Sequence, residues 1–374
     1  MTRSRPVTTL AVGAVACAAL AASTGTALAT DAPPGSPSSS PSSSQGPKVR
    51  VLDQTVAAPF QLGYAHRRLL VADGAKATVS KLTRKGLKKL FTTPEGLGAL
   101  GVNAEGDIAY GIQQGGGPAG ATTKGALVIK FKHGGQRTVD LLAYDQKENP
   151  DGKIRYGIDN PTPCQEKALE ELGGASYTGT VDSHPYAVAP LGDHAWVVAD
   201  AGGNDLLKVT DEGHVSTIAV LPRQPVKITA AGAKALGVPD CVIGAVYNFE
   251  PVPTDVEPLG YGFLTTLLPG GPEDPSLGAR GSVHFVSWNG ETSTIATGFL
   301  GATNLAVDNH GDIYVSELFG GKVSRIRQGR VSTYVKLPNA LSLEWADGTL
   351  YAGTLAPSDE EGNPTGPGTI VAIR

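Results

Sequence analysis

The strongest constraint on the fold is an internal repeat that recurs along most of the chain. Each copy contains an apolar segment, a turn, an apolar run that often ends in Asp or Glu, a second turn and another apolar segment. The uninterrupted copies are spaced by about 36 to 38 residues, which is room for four short strands and their turns. The six copies begin near Pro59, Leu97, Pro185, Pro253, Thr303 and Asn339.

The repeats predict β-structure throughout. Short runs rich in Val, Ile, Leu, Tyr and Thr alternate with Gly, Asp and Asn turns, and four-stranded units at this period indicate a β-propeller. The sixth copy has three strands, whereas residues 48–56 form an additional strand ahead of the first copy. We therefore predict an all-β, six-bladed propeller closed by its N-terminal strand. A β-sandwich with coincidental self-similarity would not leave an extra strand at one end and a vacancy at the other.

The N-terminal region indicates export. Arg3 and Arg5 precede an apolar stretch that is too short to span a membrane, and Ala27 and Ala29 permit cleavage before Thr30. Residues 1–29 are therefore predicted to be a signal peptide of a secreted protein. A retained membrane anchor and lipid attachment at Cys17 are less favoured alternatives.

The next segment predicts the start of the folded domain. Residues 30–47 are rich in Pro and Ser, which predicts a disordered linker, so the propeller domain spans residues 48–374. No later segment is apolar over a membrane-spanning length, and the net charge of −4 comes without a basic stripe. We predict no nucleic-acid partner, no membrane span and a monomeric protein.

The insertions fall on one face of the predicted propeller. Because successive strands run in opposite directions, the loops between second and third strands share a face with the connections between repeats. The long loops of the second, fourth and sixth repeats lie there, together with the insertions 141–183 and 222–252. We call this the elaborated face. Loops on a rigid scaffold commonly carry binding sites, although surface loops also tolerate added length.

Four segments resemble the ScyD/ScyE family of secreted or periplasmic propellers, which is related to NHL and SMP-30-like propellers. They are NFEPVPTDVE (248–257), TTLLPGGPEDPSLGARGSV (265–283), GATNLAVDNHGDIYVSELFGGKVS (301–324) and VADAGGNDLLKV (198–209). The resemblance extends over most of residues 48–374 and implies the propeller fold. It implies no particular reaction, since most members of the family have none assigned.

Two cysteines remain after the predicted cleavage, Cys164 and Cys241, one in each insertion. An even number of cysteines in an exported protein favours a disulfide, and both residues lie on the elaborated face. The residues beside each cysteine, 165–172 and 229–236, have short helical patterns. We therefore predict a small cap of loops and helices joined by this bond. A catalytic thiol is the less favoured alternative.

Polar residues recur at two equivalent places in the repeats. Asp73, Asp200 and Glu317 end the second strands, where an acidic side chain caps the following turn or, less favoured, binds a metal. The starts of the first strands supply a second set near the predicted pore rim. Its members are Gln61, Tyr186, Asp255 and Asn304, with His184, Glu250 and Asn339 nearby. Their oxygen atoms suit a hard cation such as Ca²⁺, and the resemblance to SMP-30-like lactonases implies a comparable use of pore residues.

No catalytic motif accompanies these residues: the sequence lacks HExxH, GxSxG and P-loop patterns. Our leading interpretation is a secreted binding or scaffold protein whose elaborated face holds a small molecule, a glycan or an extracellular protein. The alternative is a metal-dependent hydrolase in which a pore cation such as Ca²⁺ polarises a carbonyl group.

The export signal makes a direct prediction. Native protein recovered from the culture medium is expected to begin at or next to Thr30, because Ala27 and Ala29 supply the small residues that the peptidase requires. N-terminal sequencing measures this, and an intact Met1 on native protein would contradict it.

Overall fold

The structure, a computed structural model, describes residues 46–116, 120–272, 274–359 and 364–374. The predicted signal peptide, Cys17 and all but the last two residues of the predicted linker lie outside the described residues. Within the described part, the strands form seven antiparallel sheets of four strands each. None of the described helices is long and apolar enough to cross a membrane.

Five of the sheets are each built from four consecutive strands of one repeat. Strands are numbered in chain order, and β1 (Val49–Val56) precedes the first repeat. The first sheet contains β2 (Pro59–Ala65), β3 (Arg68–Asp73), β4 (Thr78–Thr83) and β5 (Gly86–Thr92). The second sheet contains β6 (Leu97–Val102), β7 (Ile108–Gly115), β8 (Thr122–Lys130) and β9 (Gln136–Asp140).

The next three repeats follow the same plan. The third sheet contains β12 (Pro185–Pro190), β13 (Ala195–Asp200), β14 (Asp205–Thr210) and β15 (Val215–Val220). The fourth sheet contains β18 (Pro253–Leu259), β19 (Gly262–Leu267), β20 (Gly281–Ser287) and β21 (Thr292–Phe299). The fifth sheet contains β22 (Ala302–Val307), β23 (Ile313–Glu317), β24 (Lys322–Arg327) and β25 (Arg330–Lys336).

The sixth sheet joins the two ends of the described chain. It contains β26 (Ala340–Ala346), β27 (Thr349–Thr354) and β28 (Gly368–Ile373), with β1 as its fourth strand. The pairing of β1 with β28 is antiparallel, and Val49 lies opposite Ile373. β1 is therefore an outer strand of the sixth sheet.

The core lies between neighbouring sheets. The first strands of the repeats are β2, β6, β12, β18, β22 and β26. Each contacts the next one in chain order, and β26 also contacts β2. Successive side chains of a strand point to opposite faces, so β13 places Trp196 and Val198 against the second sheet and Val197 against the fourth. A strand covered on both faces is apolar at consecutive positions, as AWVVAD is.

The two insertions form a seventh sheet, which the sequence analysis missed when it predicted a cap of loops and helices alone. Its strands are β10 (Arg155–Gly157), β11 (Ser176–Thr178), β16 (Gln224–Lys227) and β17 (Val246–Phe249). They pair in the order β11-β10-β17-β16. Strands of three or four residues are too short for an alternating pattern to be recognised. We call the two insertions with this sheet the cap.

Three short helices complete the cap: α1 (Leu141–Glu148), α2 (Pro163–Leu169) and α3 (Ala230–Leu236). The sequence predicted α2 and α3 but missed α1, which begins after Asp140, whose carboxylate accepts the backbone N–H of Ala143. The predicted bond between Cys164 and Cys241 is present, with 6.4 Å between the Cα atoms. It closes a loop with a sequence separation of 77 residues, for which chain-entropy arguments give a stabilisation of roughly 4 kcal/mol.

The sixth sheet predicts the effect of removing β1. A chain that begins at residue 57 is expected to be less stable than one that begins at residue 48 by about 3 kcal/mol or more, because it loses buried Val56 and exposes the edge of β28. Urea unfolding measures the difference. The chain that begins at residue 48 is the control, and equal stabilities would contradict this role of β1.

Candidate functional site

Three of the predicted pore residues meet in one hydrogen-bonded network. The amide nitrogen of Gln61 on β2 donates to Asp255 Oδ1 on β18 at 3.0 Å, and the amide nitrogen of Asn304 on β22 donates to Gln61 Oε1 at 3.2 Å. The three side chains therefore link the first, fourth and fifth sheets. We call Gln61, Asp255 and Asn304 the pore network.

The pore network also bonds to the backbone of neighbouring sheets. The other Asp255 oxygen accepts the N–H of Leu305 at 2.8 Å, and Asn304 Oδ1 accepts the N–H of Leu343 at 2.7 Å. All three network residues are buried. The sequence predicted a place near the pore rim for these residues; in the structure their polar atoms bond to one another and to neighbouring strands.

A repeated irregularity in the first strands gives these side chains equivalent positions. One extra residue interrupts the pairing ahead of Gln61, Asp255 and Asn304. The same interruption occurs in β12 and β26, ahead of Ala187 and Ser342. Such a bulge re-aims the side chains that follow it, so the identity of the residue after the bulge decides whether a repeat contributes a polar group.

Glu257 and Glu344 are two further carboxylates. Glu257 lies two residues beyond Asp255 on β18, and Glu344 lies two residues beyond Ser342, which has the equivalent position on β26. Burial, followed by the charge of Asp255, raises the pKa of Glu344 to about 8. Burial and the charges of Asp255 and Glu344 raise the pKa of Glu257 well above its usual range. Burial also raises the pKa of Asp255 to about 7, although its hydrogen bonds oppose that shift. The sequence analysis missed both glutamates, which the two-residue period of a strand would have placed beside Asp255 and Ser342.

The carboxylates that end the second strands bind backbone N–H groups. Asp73 accepts the N–H groups of Ala57 and Ala58, both at 3.0 Å. Glu317 accepts the N–H of Leu300 at 2.8 Å. These donors belong to the chain that enters the same sheet, so each carboxylate fastens that entering segment.

Asp200 accepts hydrogen bonds both from the chain that enters its sheet and from the turn that follows β13. It accepts the N–H of His184, in the entering chain, at 2.6 Å, and those of Gly202 and Gly203, in the following turn, at 3.1 and 3.2 Å. The hydroxyl of Ser183 donates to its other oxygen at 2.6 Å. These contacts favour the capping interpretation of Asp200.

The remaining predicted residues are divided between two places. The ring centroids of His184 and Tyr186 lie 5.5 Å apart with the rings tilted, and Tyr186 meets the ring of Phe60 edge-on at 6.4 Å. Burial lowers the pKa of His184 to about 4, so its ring is neutral near pH 7. Asn339 instead has a positive φ of 58° in a turn, and its amide donates to the Leu355 carbonyl at 3.4 Å.

Glu250 directly follows β17 and belongs to the cap. Burial and the charge of Asp151 raise its pKa to about 7, while hydrogen bonds with Tyr177 and Asn204 act in the opposite direction. Across the described residues, no three His, Cys, Asp or Glu side chains form a ready metal-binding group. The described residues therefore offer carboxylates whose pKa values are raised by burial, without an assembled cation shell.

Comparisons with solved structures agree with this architecture. A putative oxidoreductase (glucose dehydrogenase) from Thermus thermophilus has a TM-score of 0.53 and 16% identity over 88% of this chain and 100% of its own. The soluble aldose sugar dehydrogenase of Escherichia coli has a TM-score of 0.51 and 12% identity over 88% and 99%. A gluconolactonase from Xanthomonas campestris has a TM-score of 0.50 and 11% identity over 87% and 89%.

These similar structures are β-propeller proteins. The fold is a β-propeller. At such low identity the likeness concerns the fold alone. No protein-family model and no curated protein matches the chain.

The pore carboxylates predict a dependence of stability on pH. Burial raises the pKa values of Asp255 and Glu344 to about 7 and about 8, from ordinary values of 3.8 and 4.5. At a pH between the ordinary and the raised pKa of each group, the folded chain holds a proton that the unfolded chain releases. The free energy of unfolding therefore falls as pH rises from about 4 to about 8. Glu344→Gln is expected to be more stable than the parent at pH 8 by about 2 kcal/mol, with little difference at pH 4.

Urea unfolding at both pH values tests this expectation. The matched control is Glu291→Gln, which removes a carboxylate from an exposed turn. Parallel stability curves for the Glu344→Gln variant and the parent chain would contradict the assignment of a raised pKa to Glu344.

Proposed function

We propose that this chain is a secreted, six-bladed β-propeller of the ScyD/ScyE type, closed by β1 and carrying a ligand-binding cap. Six repeat sheets, consecutive contacts between their first strands and the pairing of β1 with β28 support the blade number and the closure. The disulfide supports an oxidising compartment. On this proposal residues 1–29 are removed, 30–47 form a linker and 48–374 form the domain.

The function that we propose is binding of a small molecule or glycan on the elaborated face, between the cap and the pore network. The main support is that both insertions and the β19–β20 loop fold into one structure. Leu277 of that loop packs with Ile228 and Leu169 of the two insertions, and the Thr229 hydroxyl donates to the Ser276 carbonyl at 3.0 Å. A disulfide-bonded cap with its own core is a rigid support for a binding site.

Aromatic side chains between the cap and the pore network indicate the class of ligand. Phe60 and Tyr177 are half-buried, and each contacts another aromatic ring, Tyr186 at 6.4 Å and Tyr156 at 5.6 Å. Rings with a polar edge suit the faces and hydroxyl groups of sugars and of small aromatic molecules.

The opposite face offers the natural comparison. Tyr261 is 87% exposed and Trp288 is 54% exposed, and both lie in turns of the fourth sheet. An exposed aromatic pair is a recognised feature of binding surfaces. Because both faces carry aromatic side chains, an experiment has to decide which face binds the ligand.

Binding should therefore separate variants of the two faces. We expect a soluble oligosaccharide or small aromatic compound, found in a thermal-shift screen, to bind Phe60→Ala and Tyr177→Phe at least about 10-fold more weakly than the parent. Isothermal titration calorimetry gives the affinities, and Tyr261→Ala is the matched control. Weaker binding by Tyr261→Ala alone, with hydrogen-exchange protection confined to the turns at Tyr261 and Trp288, would place the site on the wrong face.

Metal-dependent hydrolysis, the second candidate, is supported by the grouping of Gln61, Asp255 and Asn304 in one hydrogen-bonded network and by the near-neutral pKa of Asp255. On this alternative the residues would hold a Ca²⁺ ion that polarises a carbonyl group, and Glu344 would handle the proton. The two functions separate if a lactone or ester is hydrolysed by the parent but not by Glu344→Gln. Loss of hydrolysis in Glu344→Gln with unchanged ligand binding would support the enzyme.

A further inference from the structure

A second group of carboxylates lies away from the pore network, where the first insertion meets the third sheet. Asp145 belongs to α1, Asp151 follows α1, Asp200 ends β13 and Asp205 begins β14. All four are 4% exposed or less. Their charges act on one another: Asp200, Asp145 and Asp151 all help to raise the pKa of Asp205.

Hydrogen bonds satisfy only part of this group. Asp151 Oδ2 accepts the hydroxyl of Tyr156 and the amide of Asn204, both at 3.0 Å, and Asp145 Oδ2 accepts the N–H of Asp182 at 2.8 Å. In contrast, the Oδ1 atoms of Asp145, Asp151 and Asp205 are buried and have no hydrogen-bond partner among the described residues. Asp200 differs because both of its oxygens accept hydrogen bonds.

No positive side chain in the described part of the chain balances the group. None of the ion pairs found there includes Asp145, Asp151, Asp200 or Asp205. The neighbouring imidazole of His184 is neutral near pH 7, because burial lowers its pKa. A buried carboxylate without a counter-charge or hydrogen bonds is costly, so it must take up either a proton or a cation.

We propose that Asp145, Asp151 and Asp205 bind one Ca²⁺ ion through their unpartnered oxygens. All the available ligands are oxygens, and three carboxylates in an irregular loop setting suit the flexible coordination of Ca²⁺ better than the octahedral, water-rich coordination of Mg²⁺. Zn²⁺ would prefer Cys or His ligands, and neither cysteine lies here because Cys164 and Cys241 are bonded to each other.

Binding requires the three side chains to move closer together. As placed, they do not form a ready coordination group. Asp145 and Asp151 belong to the first insertion and Asp205 to the third sheet, so an ion between them would fasten this end of the cap to the propeller. The disulfide joins the two insertions to each other, so other contacts must connect the cap to the propeller.

The test uses the full mature chain, first freed of metal with EGTA and then titrated with Ca²⁺ alone. We expect about 2 mM Ca²⁺ to raise the melting temperature by about 5 °C, with one ion bound in equilibrium dialysis. Asp205→Asn and Asp151→Asn are expected to lose this rise. In EGTA each variant should melt above the parent, because it has one fewer buried negative charge.

The control variant Glu291→Gln removes an exposed carboxylate and is expected to keep the full Ca²⁺ response. A response that survives unchanged in Asp205→Asn and Asp151→Asn would place the ion elsewhere and overturn the proposal. So would the absence of any Ca²⁺ response in the parent, or an equal response to Mg²⁺. If Asp205→Asn does not fold, Asp151→Asn and Asp145→Asn decide the result.

Discussion

The hydrogen bonds among Gln61, Asp255 and Asn304 connect strands that are separated by 194 and 243 residues in the chain. Each bond contributes only about 1 kcal/mol, but a buried amide or carboxylate without its partner costs about 1–3 kcal/mol. The network is therefore satisfied only when the first, fourth and fifth sheets hold one relative arrangement. The apolar surfaces between neighbouring sheets supply most of the stability, while these polar groups make the arrangement specific.

The placement of acidic residues gives the molecule an unusual electrostatic interior. Its net charge of −4 is small, yet Asp and Glu side chains gather beside the pore and under the first insertion. Those that fasten entering chain segments, such as Asp73, accept backbone N–H groups and stabilise the fold as carboxylates. Others, such as Glu344 and Asp205, lack such donors in the described contacts, and burial raises their pKa values. The same residue type thus serves two purposes, which local hydrogen bonding distinguishes.

Much of the fold could be predicted because each repeat encodes its sheet locally. Apolar alternation marks the strands, Gly and Asn mark the turns, and β1 follows from counting strands. The sheet of the cap could not be predicted in this way, since β10 and β17 are joined by residues 157 and 248 across two separate insertions. The disulfide was predictable only because two cysteines allow one pairing.

The candidate site was less predictable than the fold. Equivalent repeat positions identified Gln61, Asp255 and Asn304, but spacing alone gave no indication that they bond to one another rather than face solvent. Asn339 was placed with them by its position, whereas its positive φ shows a turn residue. Asp145, Asp151 and Asp205 lie in separate segments, and the folding of the first insertion beside the third sheet brings their charges together.

The pairing of β1 with β28 has a consequence for how the protein is made. Of the described strands β1 is made first and its partner β28 last, so β1 stays unpaired until β28 has left the ribosome. A nascent chain that stops early keeps two open strand edges, and such edges invite association with other chains. β28, six residues long, therefore acts as a check on synthesis: only a chain translated through β28 can hide both edges within itself.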